Sequence, residues 1–201
     1  MQVTSPPRSS TATARRAQIV RATIEVVAEQ GFGSASFAAI TERAGLSSSR
    51  LISYHFVDKQ ELVGAVVQHV LTAIGGAVGR RVHAETTSAG RLQAYIEGVV
   101  GFTAEHRADM RALLLIALAG ALPAGSGADD PVPPHVEAIL RQGQRDGEFR
   151  DFDASVVALA VQRSVEALPF ALEADPDLDC DAFAAELTTL FHLATTRTDR
   201  G

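Results

Sequence analysis

The chain has 201 residues, of which 46% are hydrophobic but only 5% aromatic, with no Trp, a single Cys and a net charge of −6. That length carries one large or two small domains with ample core, and an aromatic-poor composition rich in Ala and Leu favours packed helices over sheets. A lone cysteine, Cys180, excludes an internal disulfide and any cysteine-clustered zinc site, and the longest strongly apolar run, Leu113 to Leu122, is about half of a membrane span. No N-terminal stretch joins basic residues to an apolar segment, so a cytoplasmic protein is expected. The negative total hides an asymmetry. Residues 1–62 hold seven Lys and Arg against five Asp and Glu, a net +2, whereas residues 63–201 hold eleven against nineteen, a net −8. An anion-seeking surface therefore belongs in the first third, and the acidic remainder is repelled by nucleic acid.

Met1 to Ala14, with Pro6-Pro7 and several Ser and Thr, reads as a polar, disordered tail. Composition favours a solvated tail over an arm in which Arg8, Arg15 and Arg16 reach phosphates. From Arg15 to Gln30 the pattern is helical, with Val20, Ile24 and Val27 at i, i+4 and i+7 and Gly31 as the stop. Ser36 is placed to cap a second helix whose buried stripe is Phe37, Ile40 and Ala44.

Thr41 to Leu62, TERAGLSSSRLISYHFVDKQEL, is the stretch around which the chain is organised. Gly45 supplies the left-handed backbone that a tight turn needs, and Ser47 can cap the helix that follows. That third helix, about Ser48 to His55, sets Ser48, Ser49, Arg50, Ser53, Tyr54 and His55 around an inward Leu51-Ile52 pair. Short hydroxyls with one arginine, a tyrosine and a histidine suit a surface that grips phosphates and reads a groove. The segment thus predicts a helix-turn-helix that enters the major groove. Asp58-Lys59-Gln60-Glu61 opens a fourth helix with a capping box, in which Asp58 caps and Glu61 reaches back. This helix runs on through Leu62, Val66, Val70 and Ile74, and Val82 is its farthest expected reach despite four glycines.

Arg15 to Leu62 resembles the TetR-type transcriptional regulators. The resemblance is carried by Ile19 and Ala22, Ala28-Glu29-Gln30-Gly31-Phe32, Ser36 with Ile40, Ala44-Gly45-Leu46-Ser47, Tyr54-His55-Phe56, and Lys59 with Leu62. Between Ala44-Gly45 and Tyr54-His55-Phe56 the chain has one residue more than the commonest family pattern, and the usual glycine of that turn is missing. The resemblance implies an all-α protein with a three-helix DNA-binding module at residues 15–62 and a helical effector-binding and dimerisation domain at 63–201. It implies a repressor that binds a palindromic operator as a homodimer and is released by a small, mainly apolar effector. It also implies that Tyr54, His55 and Lys59 hold the DNA backbone. The alternatives are a half-buried Tyr54, a His55 packed on Phe56 and an ordinary solvated Lys59. The expected DNA-facing set is Ser36, Ser47, Ser48, Ser49, Arg50, Ser53, Tyr54, His55 and Lys59.

Farther along, Ser88 to Ala104 is amphipathic, with Leu92, Tyr95, Ile96, Val99 and Phe102 inward, and Asp109 to Leu122 is apolar on nearly every face, which predicts a buried central helix. Pro123 to Pro134 reads as a linker, and a seventh helix covers His135 to Asp146. Two last helices present apolar seams: Val157, Val161, Val165, Leu168 and Leu172, then Phe183, Leu187, Leu190, Phe191 and Ala194. They suit a dimer interface through Val157, Val161, Val165, Leu168, Phe183, Leu187, Leu190 and Phe191; the competing reading buries both seams within one chain. Polar groups among core-like helices nominate His106, Arg163 and Glu166 as effector ligands, with Phe102, Met110, Leu114 and Phe170 as walls. Arg163 and Glu166, at i and i+3, can equally pair with each other.

An enzyme is not expected. The six histidines are scattered with none at i, i+4, and neither a glycine-rich phosphate loop nor a nucleophile elbow is present, so no metal or cofactor is expected either. The alternative function is a helical interaction module, or a small helical enzyme, without DNA binding.

Overall fold

Ten α-helices and one short 3-10 turn make up the residues that this computed structural model describes, 8–125 and 134–196, and no strand forms among them. The all-α expectation holds. Residues 1–7 and most of the expected 123–134 linker lie outside the described residues. Packing divides the chain into two units: residues up to Leu71 with a return segment that starts at Ala108, and Thr72–Arg107 with the remainder from residue 129. The first of these units runs on to Leu71, inside a helix.

The first unit contains α1 (Arg8–Gln30), α2 (Phe37–Arg43), α3 (Arg50–His55), the first half of α4 (Lys59–Ala84) and most of α6 (Arg107–Leu118). α1 starts at Arg8, so the second half of the expected tail is helical. Its inner face, Ile19, Val20, Ile24 and Val27, closes with Ile40, Ile52, Phe56, Leu62, Val66 and Val70 into one core. Ala112 and Ile116 of α6 join it. α4 has the length and apolarity of a membrane span, with a mean hydropathy of 1.6 over its best window. Part of that apolar surface is buried: Leu62, Val63, Val66, Val67 and Val70 all lie in this core. α6 is not apolar-buried all round as expected. Leu113 and Leu115 are half-buried, Leu118 is exposed, and the helix stops before Gly120 at φ +65°.

The second unit holds the rest of α4, α5 (Ser88–Glu105), α7 (Pro134–Arg145), α8 (Ala154–Glu166), α9 (Leu168–Ala174) and α10 (Cys180–Thr195). α5 is central, packing on α7, α8, α9 and α10. Its N-terminus is capped twice. The Thr87 hydroxyl accepts from the Gly90 amide at 3.0 Å, and the Glu148 carboxylate accepts from the Ser88 and Ala89 amides at 3.1 and 3.0 Å. The stretch read as one apolar seam from Val157 to Leu172 is two helices, because Pro169 in the first turn of α9 withholds the amide that a continuous helix would need.

Most of the expected dimer seam is turned inward within one chain. Val161, Val165, Leu168 and Phe191 are buried within this unit by α5, α7 and their neighbours, so they form core rather than interface. Val157, Phe183 and Leu187 are half-buried against the same cores. Of the eight residues expected at the interface, only Leu190 stays exposed. The outward apolar side chains of these helices are Val156, Phe170, Leu190 and Leu193, with exposed Ala160, Ala167, Ala182 and Ala185 between them in sequence.

Candidate nucleic-acid interface

α2 and α3 form the helix-turn-helix. The Ser36 hydroxyl accepts from the Ala39 amide at 3.2 Å and starts α2, as its residue type predicts. Gly45, at φ +61°, turns the chain, with the Leu46 amide returning to the Thr41 carbonyl at 2.9 Å. Ser47 does not cap the next helix. α3 begins at Arg50 after Ser49, and the nearest side-chain help is the Ser48 hydroxyl, which accepts from the Arg50 amide at 3.2 Å. Ser47, Ser48 and Ser49 thus all precede the helix, which has six residues and a buried Ile52.

What α3 turns outward is polar. Ser49, Arg50, Ser53 and Tyr54 are exposed, as is Ser47 before them, while Ser48 and His55 are half-buried. Tyr54 is 81% exposed, so the alternative of a half-buried tyrosine fails. The core position is occupied by Phe56 instead, 1% exposed, and His55 lies edge-on to the Tyr54 ring at 5.1 Å. No side-chain partner engages the Arg50 guanidinium among the described residues. Val57, 89% exposed, completes the surface; sequence patterning gave no sign of it, since Val is normally a core residue.

The start of α4 is pinned as the capping box predicts. Asp58 Oδ1 accepts from the Glu61 amide at 2.8 Å, and Glu61 Oε2 reaches back one residue farther than expected, to the Val57 amide at 2.7 Å. That amide and the Arg16 guanidinium hold the Glu61 carboxyl below its ordinary range. Lys59 Nζ folds over the Phe32 ring, 4.6 Å from its centroid, and lies 3.4 Å from the Phe32 carbonyl oxygen. It is half-buried there, not a freely solvated lysine.

Two arginines serve the scaffold. Arg43 pairs with Glu25 and Glu29, which raises its own proton affinity and lowers that of Glu29. Arg16, a candidate for a phosphate arm, instead donates to the His55 carbonyl at 2.6 Å, pairs with Glu61 at 3.1 Å and covers the Phe56 ring at 4.0 Å. Arg15 donates to the Gln18 side chain at 2.7 Å. Gln18, which no sequence pattern singled out, donates to the Ala44 carbonyl at 2.7 Å.

The effector candidates are drawn from both units. Met110 and Leu114 belong to the first unit. In the second, Phe102 is buried with His106 stacked on it at 4.2 Å, Arg163 pairs with Glu166 at 2.6 Å, and Phe170 is exposed. The i, i+3 pairing was the competing reading for Arg163 and Glu166. A polar chain missed in the sequence is more deeply placed. The Tyr95 hydroxyl donates to Gln162 Oε1, and Gln162 Nε2 donates to Glu166 Oε1 at 2.6 Å. Burial, with Glu166 nearby, pushes the Tyr95 phenol up. Its signal in the sequence was a tyrosine at an inward position, which needs a hydrogen-bond partner when buried.

Residues 19–66 match the family described as bacterial regulatory proteins, tetR family. The HTH-type transcriptional regulator BetI of Ectopseudomonas mendocina is 40% identical over 86 residues, 42% of this chain and 43% of that protein. The chain therefore matches less than half the length of this relative. A regulatory protein in the tetR family from Rhodococcus RHA1 superposes with a TM-score of 0.77 at 20% identity, over 92% of this chain and 98% of that one. A transcriptional regulator from Saccharomonospora viridis, in complex with choline, gives 0.79 at 17% identity over 92% and 100%. At such identities the two structures establish the fold.

Proposed function

We propose that the chain is a DNA-binding transcriptional regulator of the TetR type, a reading supported by the match of residues 19–66 to that family. It represses by occupying a palindromic operator as a homodimer and is released by a small, mainly apolar effector held by the helical remainder. The observation that carries the reading is α3 itself, which projects Ser49, Arg50, Ser53 and Tyr54 outward with Ile52 and Phe56 buried beneath it. Ser36, Ser47, Ser48, His55 and Lys59 surround these four as backbone-gripping groups, and Arg50 reads a base.

The homodimer is supported by the outward apolar residues of α8, α9 and α10. Val156, Phe170, Leu190 and Leu193 are each more than half exposed in the isolated chain, and a symmetry mate would relieve such apolar side chains of water. Two copies of a six-residue recognition helix, one DNA turn apart, supply the contacts that a single copy lacks. Release by the effector is a population shift, limited by its differential affinity for the two spacings.

Selection of bound duplexes from a random pool tests the reading. A palindrome bound with steep salt dependence is expected. Recovery of no duplex above background overturns it.

A further inference from the structure

Two side chains of α1, two positions apart, hold the two ends of the segment that carries α3. Gln18 Nε2 donates to the Ala44 carbonyl at 2.7 Å, where α2 ends. Arg16 Nη1 donates to the His55 carbonyl at 2.6 Å, where α3 ends. Helix ends leave such carbonyls without intrahelical partners. Arg16 extends the hold: its plane covers Phe56 at 4.0 Å and its second nitrogen meets Glu61 Oε1 at 3.1 Å. The other Glu61 oxygen takes the Val57 amide at 2.7 Å. One guanidinium and one carboxylate thus fasten every residue of the α3–α4 connection from His55 to Val57.

A helix of six residues makes too few internal bonds to fix its own direction. We propose that Arg16 and Gln18 are positioning residues for the recognition helix, so that operator selectivity is set in part from α1 by side chains that touch no base. This rests on the DNA-binding reading above. The planar fork suits Arg16 to the task, because it can bridge a carbonyl and a carboxylate while stacking on a ring, which an ammonium cannot do.

The test compares the full chain with Arg16→Gln, Arg16→Lys and Gln18→Ala, on the duplex recovered from the random pool and on a scrambled duplex. The ratio of the two affinities should fall roughly tenfold in Arg16→Gln and Gln18→Ala, the order of one mismatched base pair. Arg16→Lys should recover only part of it, and scrambled-duplex affinity and the salt slope should stay at wild-type values. An unchanged ratio overturns the inference. So does a salt slope reduced by about one, which would make Arg16 a direct phosphate contact.

Hydrogen exchange of the unbound protein judges the bracket without DNA. Faster exchange confined to residues 50–57 in Arg16→Lys and Gln18→Ala supports it, whereas a uniform rise across the first unit marks a general stability contact and rejects it. A wild-type protein that recovers no duplex refutes the DNA reading alone, and the exchange experiment still decides the bracket.

Discussion

The two units distribute polarity in opposite ways. In the first, apolar side chains converge on one core and the polar ones either face out from α3 or tie down backbone carbonyls and amides, as Arg16, Gln18 and Glu61 do. In the second, a polar chain from Tyr95 through Gln162 to Glu166 starts in the interior, while Val156, Phe170, Leu190 and Leu193 stand in water. A surface that meets a charged, hydrated polymer must stay polar and rigid, and a surface that meets its own copy must be apolar. Under the proposed function, α3 is the face for DNA and the exposed apolar side chains of α8, α9 and α10 are the face for a second copy.

Mutations can break that contrast, and the largest effect should come from the apolar surface. Phe170→Glu combined with Leu193→Arg is expected to leave a species with the mass of one 21.2 kDa chain in sedimentation. Its operator affinity should fall to the non-specific level, a loss of roughly a thousandfold or more. Next is the core beneath α3. Phe56→Ala removes a ring that is 1% exposed and should cost about 3–5 kcal/mol in denaturant unfolding, with DNA binding lost alongside. Arg50→Ala should cost about 1–3 kcal/mol on the operator alone and relax one base position. Tyr54→Ala and Lys59→Ala should weaken binding to all duplexes alike, and Lys59→Ala should also reduce the salt slope by about one.

The smallest effect is one of pH. Glu29 and Glu61 in the first unit and Glu137 in the second are held below their ordinary carboxyl value of 4.5, through Arg43 for Glu29, the Val57 amide and Arg16 for Glu61, and Arg141 and Ser155 for Glu137. Their contribution is present above that value and lost as pH falls through the depressed folded values. Acid titration of thermal stability should show a shallow decline there in the wild type. Glu61→Gln should remove only the share of that decline that Glu61 contributes, leaving those of Glu29 and Glu137.

Much of the DNA-binding module was legible because its signals are local. Ser36, Gly45 and the Asp58–Glu61 box act within four residues of their own backbone, where residue type alone constrains geometry. α3 was harder, since an additional residue among Ser47, Ser48, Ser49 and Arg50 can be taken up as helix or as turn, and only the burial of Ile52 and Phe56 decides between them.

By itself the sequence determined that the protein is helical, where most helices lie, and that a tight turn at Gly45 leads into a short polar helix, because periodicity, caps and turn residues act at short range. Which face of each helix is inside was settled by tertiary structure. α8 carries apolar residues at 156, 157, 158, 159, 160 and 161, so seams shifted by one position fit its pattern equally well, and packing on α5 and α7 buries Ala158 and Val161 while leaving Val156 outside. Arg16 and Gln18 likewise acquire their partners only when α1 is laid across residues 26 and 39 positions away, a distance over which no periodicity extends.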